Sequence, residues 1–344
     1  MISVALCTFN GEKFIKEQLD SILTQTIVPD EIIICDDNSK DRTIEIIENY
    51  IASLNNFNIK LFKNESNIGF VKNFEKCVQL CRGEYIFLSD QDDVWISTKV
   101  EKTLSFFNSY PHIEMVFTNA YLVNEDLQTL NTNLFDTLKF NIKERTKHEF
   151  SNLFKILLKQ YIITGATVCI KKKQIDFIIP IPINKYQIHD GWMGLIASFQ
   201  KKLGFINECL IKYRQHPNQA IGTKKNSPSL LINKNRALFI YNIIKYADYY
   251  KTLIKSLEAL FEINSLLIKT IEQKELNSKI TEKNFKFLKR QNDYLKYLKK
   301  LPKNRILRLF NSIKYKRNLL PFLDSFRSRI SFTLIEIIMK VDYD

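Results

Sequence analysis

Three carboxylates fall within four residues at Asp90, Asp92 and Asp93, just after the apolar run Tyr85-Ile86-Phe87-Leu88. Two acids spaced two apart on a turn can share one hard divalent cation. Mg2+ or Mn2+ held by so few protein oxygens keeps coordination sites open for phosphate. An arbitrary D-x-D is more often a solvated turn, so the pattern needs company. A calcium EF-hand is excluded: Asp90, Asp92 and Glu101 match loop positions one, three and twelve, but Trp95 stands where position six requires glycine. A second acidic pair, Asp36-Asp37, follows another apolar run, and Thr8-Phe9-Asn10-Gly11 follows a third. His189-Asp190 opens a helical pattern, where Asp190 suits either a helix cap or a general base. Arg214 and His216 stand two apart near the end of the last strand-like run. Trp95 and Lys99 fit packing and function equally well. No G-x-x-x-x-G-K-[ST] loop and no G-x-G-x-x-G after the first strand is present, so a bound diphosphate would need a cation rather than a glycine cradle.

The elements that must position these groups alternate. Ile2–Cys7, Glu31–Cys35, Ile59–Phe62, Glu84–Leu88 and Glu114–Thr118 read as strands. Glu12–Thr24, Thr43–Ser53, Phe70–Cys81 and Thr98–Asn108 read as the helices between them. Continuous apolar strands separated by helices predict βαβ units around a mostly parallel sheet covered on both faces, with ligands at the carboxyl ends of the strands. From Asn124 to about Arg145 the pattern is weak and reads as loop. Phe150–Leu158 and Asp190–Phe199 read as helices, Ala166–Ile170 as a strand and Phe205–Tyr213 as paired strands. Polar and acidic groups thus converge from three strand ends onto one edge of one sheet.

These segments carry a family resemblance. Ser3-Val4-Ala5-Leu6-Cys7-Thr8-Phe9-Asn10-Gly11, Ile34-Cys35-Asp36-Asp37-Asn38-Ser39, and Gly83-Glu84-Tyr85-Ile86 with Ser89-Asp90-Gln91-Asp92-Asp93-Val94-Trp95 resemble family 2 glycosyltransferases of the GT-A fold, over residues 1–222. Thr164-Gly165-Ala166-Thr167 resembles the family's acceptor-side segment, and His189-Asp190-Gly191-Trp192 the segment carrying its catalytic base. Tyr213-Arg214-Gln215-His216 resembles the stretch that closes over the diphosphate in rhamnosyltransferase-like members. The resemblance implies that Thr8, Asn10 and Asp37 hold the base and ribose, with Asp36 beside them, and that Asn67, Gly69 and Asn73 line the nucleotide side. It implies Mn2+ or Mg2+ at Asp90 and Asp92, with Asp92 favoured as the direct ligand and His216 as a further ligand or diphosphate contact. Arg214 is expected to face the diphosphate and Asp190 to act as base in an inverting transfer. Asn38 and Gln91 depart from the commonest residues at their positions, which leaves the donor open between dTDP-rhamnose and a UDP-hexose. The implied acceptor is a growing, lipid-linked polysaccharide of the O-antigen or capsule type. The rival expectation is a catalytically weak or inactive scaffold of the same fold that binds anionic partners through its basic C-terminal helices.

The net charge of +14 is confined to one end. Residues 1–223 hold 25 Lys and Arg against 26 Asp and Glu, whereas residues 224–344 hold 26 against 11. A GT-A domain over 1–223 followed by a basic helical region over 224–344 is therefore expected. Between Lys286 and Arg317 there are twelve Lys and Arg and one acid, Asp293, and Phe287, Leu288, Leu295, Leu298 and Leu301 recur at helical spacing. Such striped basic helices suit an anionic membrane surface or a second subunit, and are too regularly apolar for a nucleic-acid arm. Six cysteines without metal-type spacing read as reduced core residues, and Met1 runs straight into strand-like Ile2–Cys7 with no leader pattern. The expected location is the cytoplasm, peripherally at the inner face of the membrane.

Overall fold

The computed structural model describes residues 1–54, 57–140, 150, 153–158, 160–182, 188–217, 219, 258, 261–276 and 281–300. The chain divides into two units, Met1–Leu230 and Leu231–Asp344.

The first unit opens with β1 (Ile2–Thr8), α1 (Ile15–Leu23), β2 (Glu31–Asp36), α2 (Thr43–Ser53), β3 (Ile59–Lys63), α3 (Phe70–Leu80) and β4 (Tyr85–Ser89). Every residue of β1 and β2 is buried, which is why these strands read as unbroken apolar runs rather than alternating ones. The pairings β3–β2, β2–β1 and β1–β4 are all parallel. Their register places Thr8 opposite Asp36 and Leu6 opposite Ser89. The polar ends of β1 and β2 are therefore level, with that of β4 two residues short of them, and Asp37 and Asp90 each lie one residue beyond their strand.

Next come β5 (Val94–Trp95), α4 (Lys99–Ser109), β6 (Met115–Val123), β7 (Thr129–Asn133), α5 (Leu134–Thr137) and α6 (Leu153–Leu157). A 3-10 turn, Gly165–Thr167, leads into β8 (Val168–Lys171), α7 (Lys172–Ile178), α8 (His189–Phe199) and β9 (Leu203–Arg214). The nine strands form one sheet in the order β3-β2-β1-β4-β8-β6-β9-β5, with β7 on β6. The expected α/β architecture is present, but the sheet becomes mixed beyond β4: β8 runs antiparallel to both β4 and β6.

Two expectations change. Phe205–Tyr213 is not a strand pair but part of the single strand β9, which runs parallel to β6 and absorbs its irregularities as two register shifts. The stretch after Asn124 is not all loop, because β7 pairs back onto β6 and Asn133 caps α5 by accepting the Asp136 N–H at 2.9 Å. Residues 141–149 lie outside the described residues. Helix α8 is buried along its whole length, with Trp192 among the largest enclosed side chains. The first turn of α8 is thus held rigidly.

Of the second unit, residues 261–273 are helical and Glu282–Lys300 forms a further helix. Leu267, Ile271, Phe285, Leu288 and Leu295 are buried, while Lys283, Lys286, Lys289, Arg290 and Lys296 are exposed. Hydrogen bonds from Asn264 to Gln291 (3.1 Å) and Ser265 to Asn292 (3.2 Å) join the two helical stretches. The stripe of Leu288 and Leu295 therefore faces protein. Leu298 and Leu301 and the rest of the proposed basic surface lie outside the residues whose side chains are described.

Candidate active site

The ends of β1, β2 and β3 are tied together by two aspartates. Asp36 is fully buried and its carboxylate is filled by protein donors: Thr8 Oγ1 at 2.8 Å, the Ser39 N–H at 2.8 Å and Ser39 Oγ at 2.5 Å. Asp37 accepts from Asn64 Nδ2 (2.9 Å), the Ile68 N–H (2.8 Å) and the Gly69 N–H (2.9 Å), drawing the loop before α3 against the end of β2. Asn67 Oδ1 accepts the same Gly69 N–H at 3.1 Å. Gly69 begins α3 at φ +83, a conformation that side chains rarely adopt. Asn73 is buried and donates to the Cys35 carbonyl at 2.7 Å. Asn10 is exposed in the left-handed region (φ 51) and accepts the Lys40 N–H at 2.8 Å. At this rim Asn10 and Asn67 are exposed and Gly69 is half-buried, while Asp36, Asp37 and Asn73 are buried and bonded to protein.

The turn between β4 and β5 carries the acids. Gln91 grips the backbone of Phe9, accepting its N–H at 2.8 Å and donating to its carbonyl at 3.0 Å, so this departure from the family pattern joins the ends of β4 and β1. Asp92 Oδ2 lies 2.8 Å from His216 Nε2, 124 residues away in sequence. Asp93 is buried; its Oδ1 accepts the Arg214 N–H at 3.0 Å, and its Oδ2 has no hydrogen-bond partner among the described residues. Burial first, then Asp92 and Asp190, push the Asp90 carboxyl up to about 8. Beneath the turn, Lys99 is wholly enclosed, lies 4.0 Å from the Trp95 ring and donates to the Ala166 carbonyl at 2.7 Å. Burial brings its amine down to about 7, against the pull of Asp93.

Arg214 reaches the turn from the end of β9. Its guanidinium is buried and bonded to the Asp92 carbonyl (2.6 Å), the Glu125 carbonyl and the Glu17 carboxylate, 4.5 Å above the Phe14 ring. Each guanidinium nitrogen makes a bond to protein, so Arg214 clasps the acidic turn. It sets His216, two residues on, against Asp92.

The opposite side is built from the first turn of α8 and the turn at Gly165. Asp190 is buried; its Oδ1 accepts the Gly191 N–H at 2.6 Å and the Tyr161 hydroxyl. A Cβ on Gly165 would lie 2.8 Å from His189 Nε2 and 3.6 Å from Asp190 Oδ2, so only glycine admits this packing. His189 stacks on Phe74 at 4.2 Å, and neither ring nitrogen has a hydrogen-bond partner among the described residues. Burial lowers its pKa, which keeps the ring neutral. Tyr161, Gln91 and Glu17 were not anticipated. Only Gln91 carried a signal, as an unusual residue inside a known motif.

A divalent cation suits this donor set. Asp92 and His216 supply one carboxylate and one imidazole at adjacent positions, and Asp90 stands in a surplus of negative charge. Among the described residues no group of three or more His, Cys, Asp or Glu is arranged to hold a metal. Were Mg2+ or Mn2+ bound, Asp92 and His216 would be the residues to hold it, with phosphate and water oxygens at the remaining positions.

A sheet with a parallel half, polar and acidic strand ends on one edge and a buried carboxylate on the first turn of α8 matches the GT-A architecture. The chain belongs to glycosyl transferase family 2, whose profile matches residues 3–170. It is 30% identical over 232 residues to the dTDP-rhamnosyl transferase RfbG of Shigella flexneri, covering 63% of this chain and 73% of that one. An uncharacterized glycosyltransferase of Methanocaldococcus jannaschii is 26% identical over 294 residues, covering 82% of this chain and 97% of the relative. The crystal structure of S. aureus TarS in complex with UDP-GlcNAc shares the fold, with a TM-score of 0.55 at 17% identity over 94% of this chain and 80% of that one. The family profile ends at β8, so Asp190 and His216 lie beyond it.

Proposed function

We propose that this glycosyltransferase moves a sugar, with inversion, from a nucleotide-diphosphate donor to a growing lipid-linked polysaccharide. The observation that carries the reading is the physical continuity of the two sides of the cleft. Asp190 lies beside the Gly165 turn, the next residue of that turn is bonded to Lys99, and Lys99 feels the charge of Asp93 and Asp90 on the acidic turn. Base and diphosphate end are thereby held on one rigid frame. Thr8, Asn10, Asp37, Asn67 and Gly69 border the base and ribose. Asp92 and His216, with Asp90 beside them, would hold Mn2+ or Mg2+, which when bound supplies counter-charge for the diphosphate. Asp190 takes the proton of the acceptor hydroxyl as its oxygen bonds to the anomeric carbon. The bond from that carbon to the phosphate oxygen breaks, and the diphosphate leaves with the electron pair.

The relationship to RfbG favours dTDP-rhamnose, and the TarS complex keeps a UDP-sugar in view. No helix among the described residues is long and apolar enough to cross a membrane. A lipid-linked acceptor would then be met at the cytoplasmic surface, where the basic C-terminal region is suited to anionic lipid.

The deciding experiment is Asp190→Asn, with donors screened for transfer and binding. The amide keeps the shape and loses proton acceptance. Donor affinity should hold while transfer falls about 10²–10⁴-fold, the usual contribution of a general base. Wild-type turnover in this variant would make Asp190 a helix cap and leave the silent-scaffold alternative open.

A further inference from the structure

A carboxylate that acts as base must present one particular oxygen to the acceptor. Asp190 sits on the first turn of a helix whose backbone is buried throughout, but its carboxyl group can still rotate about its last bond. Two donors remove that freedom. The Gly191 N–H at 2.6 Å and the Tyr161 hydroxyl both engage Oδ1. Oδ2 has no hydrogen bond among the described residues and lies on the side of Gly165, 3.6 Å from where a Cβ there would stand.

Tyr161 itself is not explained by packing. Its ring is 37% exposed, so burial of apolar surface gives little reason for its orientation, yet its hydroxyl turns inward onto the carboxylate. Burial of the hydroxyl end, with Asp190 beside it, holds the phenol well above its usual pKa, and it stays a donor.

We infer that Tyr161 is a positioning residue for the transfer: its hydroxyl, with the Gly191 N–H, pins Oδ1 of Asp190 and leaves Oδ2 as the oxygen that takes the acceptor's proton. The inference rests on Asp190 being the base. A base misplaced by an ångström can lose on the order of 10²-fold in rate without loss of binding.

The test is Tyr161→Phe, which removes one oxygen and keeps the ring, studied with Asp190→Asn as a double-mutant cycle in steady-state transfer and donor-binding assays. Tyr161→Phe should lower kcat about 10- to 100-fold, with the donor Kd and the acceptor KM within about threefold of wild type. In the Asp190→Asn background the same change should have no further effect, because its only route to the chemistry is gone. A purely structural tyrosine would shift Kd and KM along with kcat, and that result overturns the inference. So does an unchanged kcat in Tyr161→Phe beside an inactive Asp190→Asn, an outcome that leaves the proposed function standing. An equal loss in both backgrounds places Tyr161 in some other role. Wild-type turnover in Asp190→Asn removes the base assignment itself, and the inference with it.

Discussion

Asp90, Asp92, Asp93 and Asp190 crowd carboxylates into one cleft, and the cost of ionising them is readable as pH dependence. Asp90 titrates at about 8 in the fold, raised by burial and then by Asp92 and Asp190, whereas an unfolded aspartate titrates near 4. Between those values the unfolded chain has lost the proton and the folded chain keeps it, so stability falls as pH rises from about 4 to about 8. Lys99 works in the opposite sense at higher pH. Its amine is brought from 10.5 to about 7, so the unfolded chain holds the extra proton there and stability recovers above pH 7. Without divalent cation, the Tm should therefore drop between pH 5 and pH 7. Mn2+ should raise it more at pH 7.5 than at pH 5, because the cation competes with the proton. Asp92→Ala should abolish the Mn2+ shift and transfer activity together while leaving the apo Tm near wild type, since the Asp92 carboxylate bonds only His216 among the described residues. Transfer should also stop in EDTA and return with Mn2+ or Mg2+. A Mn2+ shift that survives in Asp92→Ala, or full activity in EDTA, would remove the cation from this turn.

At the scale of elements, Arg214 does what no backbone ladder does here. From the end of β9 it joins the acidic turn, the loop after β6 and helix α1 through one planar fork. Arg214→Met would keep the apolar stem over Phe14 but strip two carbonyls of their donor, at about 1–3 kcal/mol each. Glu17 is half exposed and would return to water, so it adds little. Urea unfolding should show a loss on the order of 3 kcal/mol, and Arg214→Lys should recover only part of it, because one ammonium does not span three acceptors set in a fork. Cation and donor affinity should weaken as His216 loses its place. An Arg214→Met variant with wild-type stability and a selective fall in kcat would instead restore the direct diphosphate contact expected from the sequence.

For the whole molecule, the described part of the basic region, residues 261–276 and 281–300, has buried apolar and exposed charged residues: Leu288 and Leu295 are buried and Lys283, Lys286, Lys289, Arg290 and Lys296 exposed. The outward charge remains for a partner. Anionic lipid attracts such a surface by about 1 kcal/mol per basic residue near the headgroups. Co-sedimentation of the full chain with vesicles containing phosphatidylserine should be strong at 50 mM salt, weak at 500 mM and absent with neutral vesicles. Equal behaviour on both vesicle types would favour self-association, which sedimentation velocity would reveal as a dimer.

The sequence by itself determined the parallel half of the sheet, because β1 and β2 are covered on both faces and their unbroken apolar runs leave no other placement. It also placed Asp37, Asp92 and Asp190, since each directly follows or opens an element whose pattern is local. Tertiary structure alone decided what those groups meet. Asp36 and Asn73 carry the same polar chemistry as their neighbours on the rim, and only the folded chain gives Asp36 the Ser39 hydroxyl as donor and Asn73 the Cys35 carbonyl as acceptor. Strand β7 and the long β9 owe their form to pairing with β6 rather than to their own composition. Arg214 reads as a free cation until Glu17, 197 residues earlier, is brought beneath it. Tyr161 reads as an ordinary aromatic until its hydroxyl reaches Asp190, 29 residues on. Periodicity and motif spacing report short-range order along the chain. A hydrogen bond between distant residues is set by the packing of whole elements, and no local pattern encodes it.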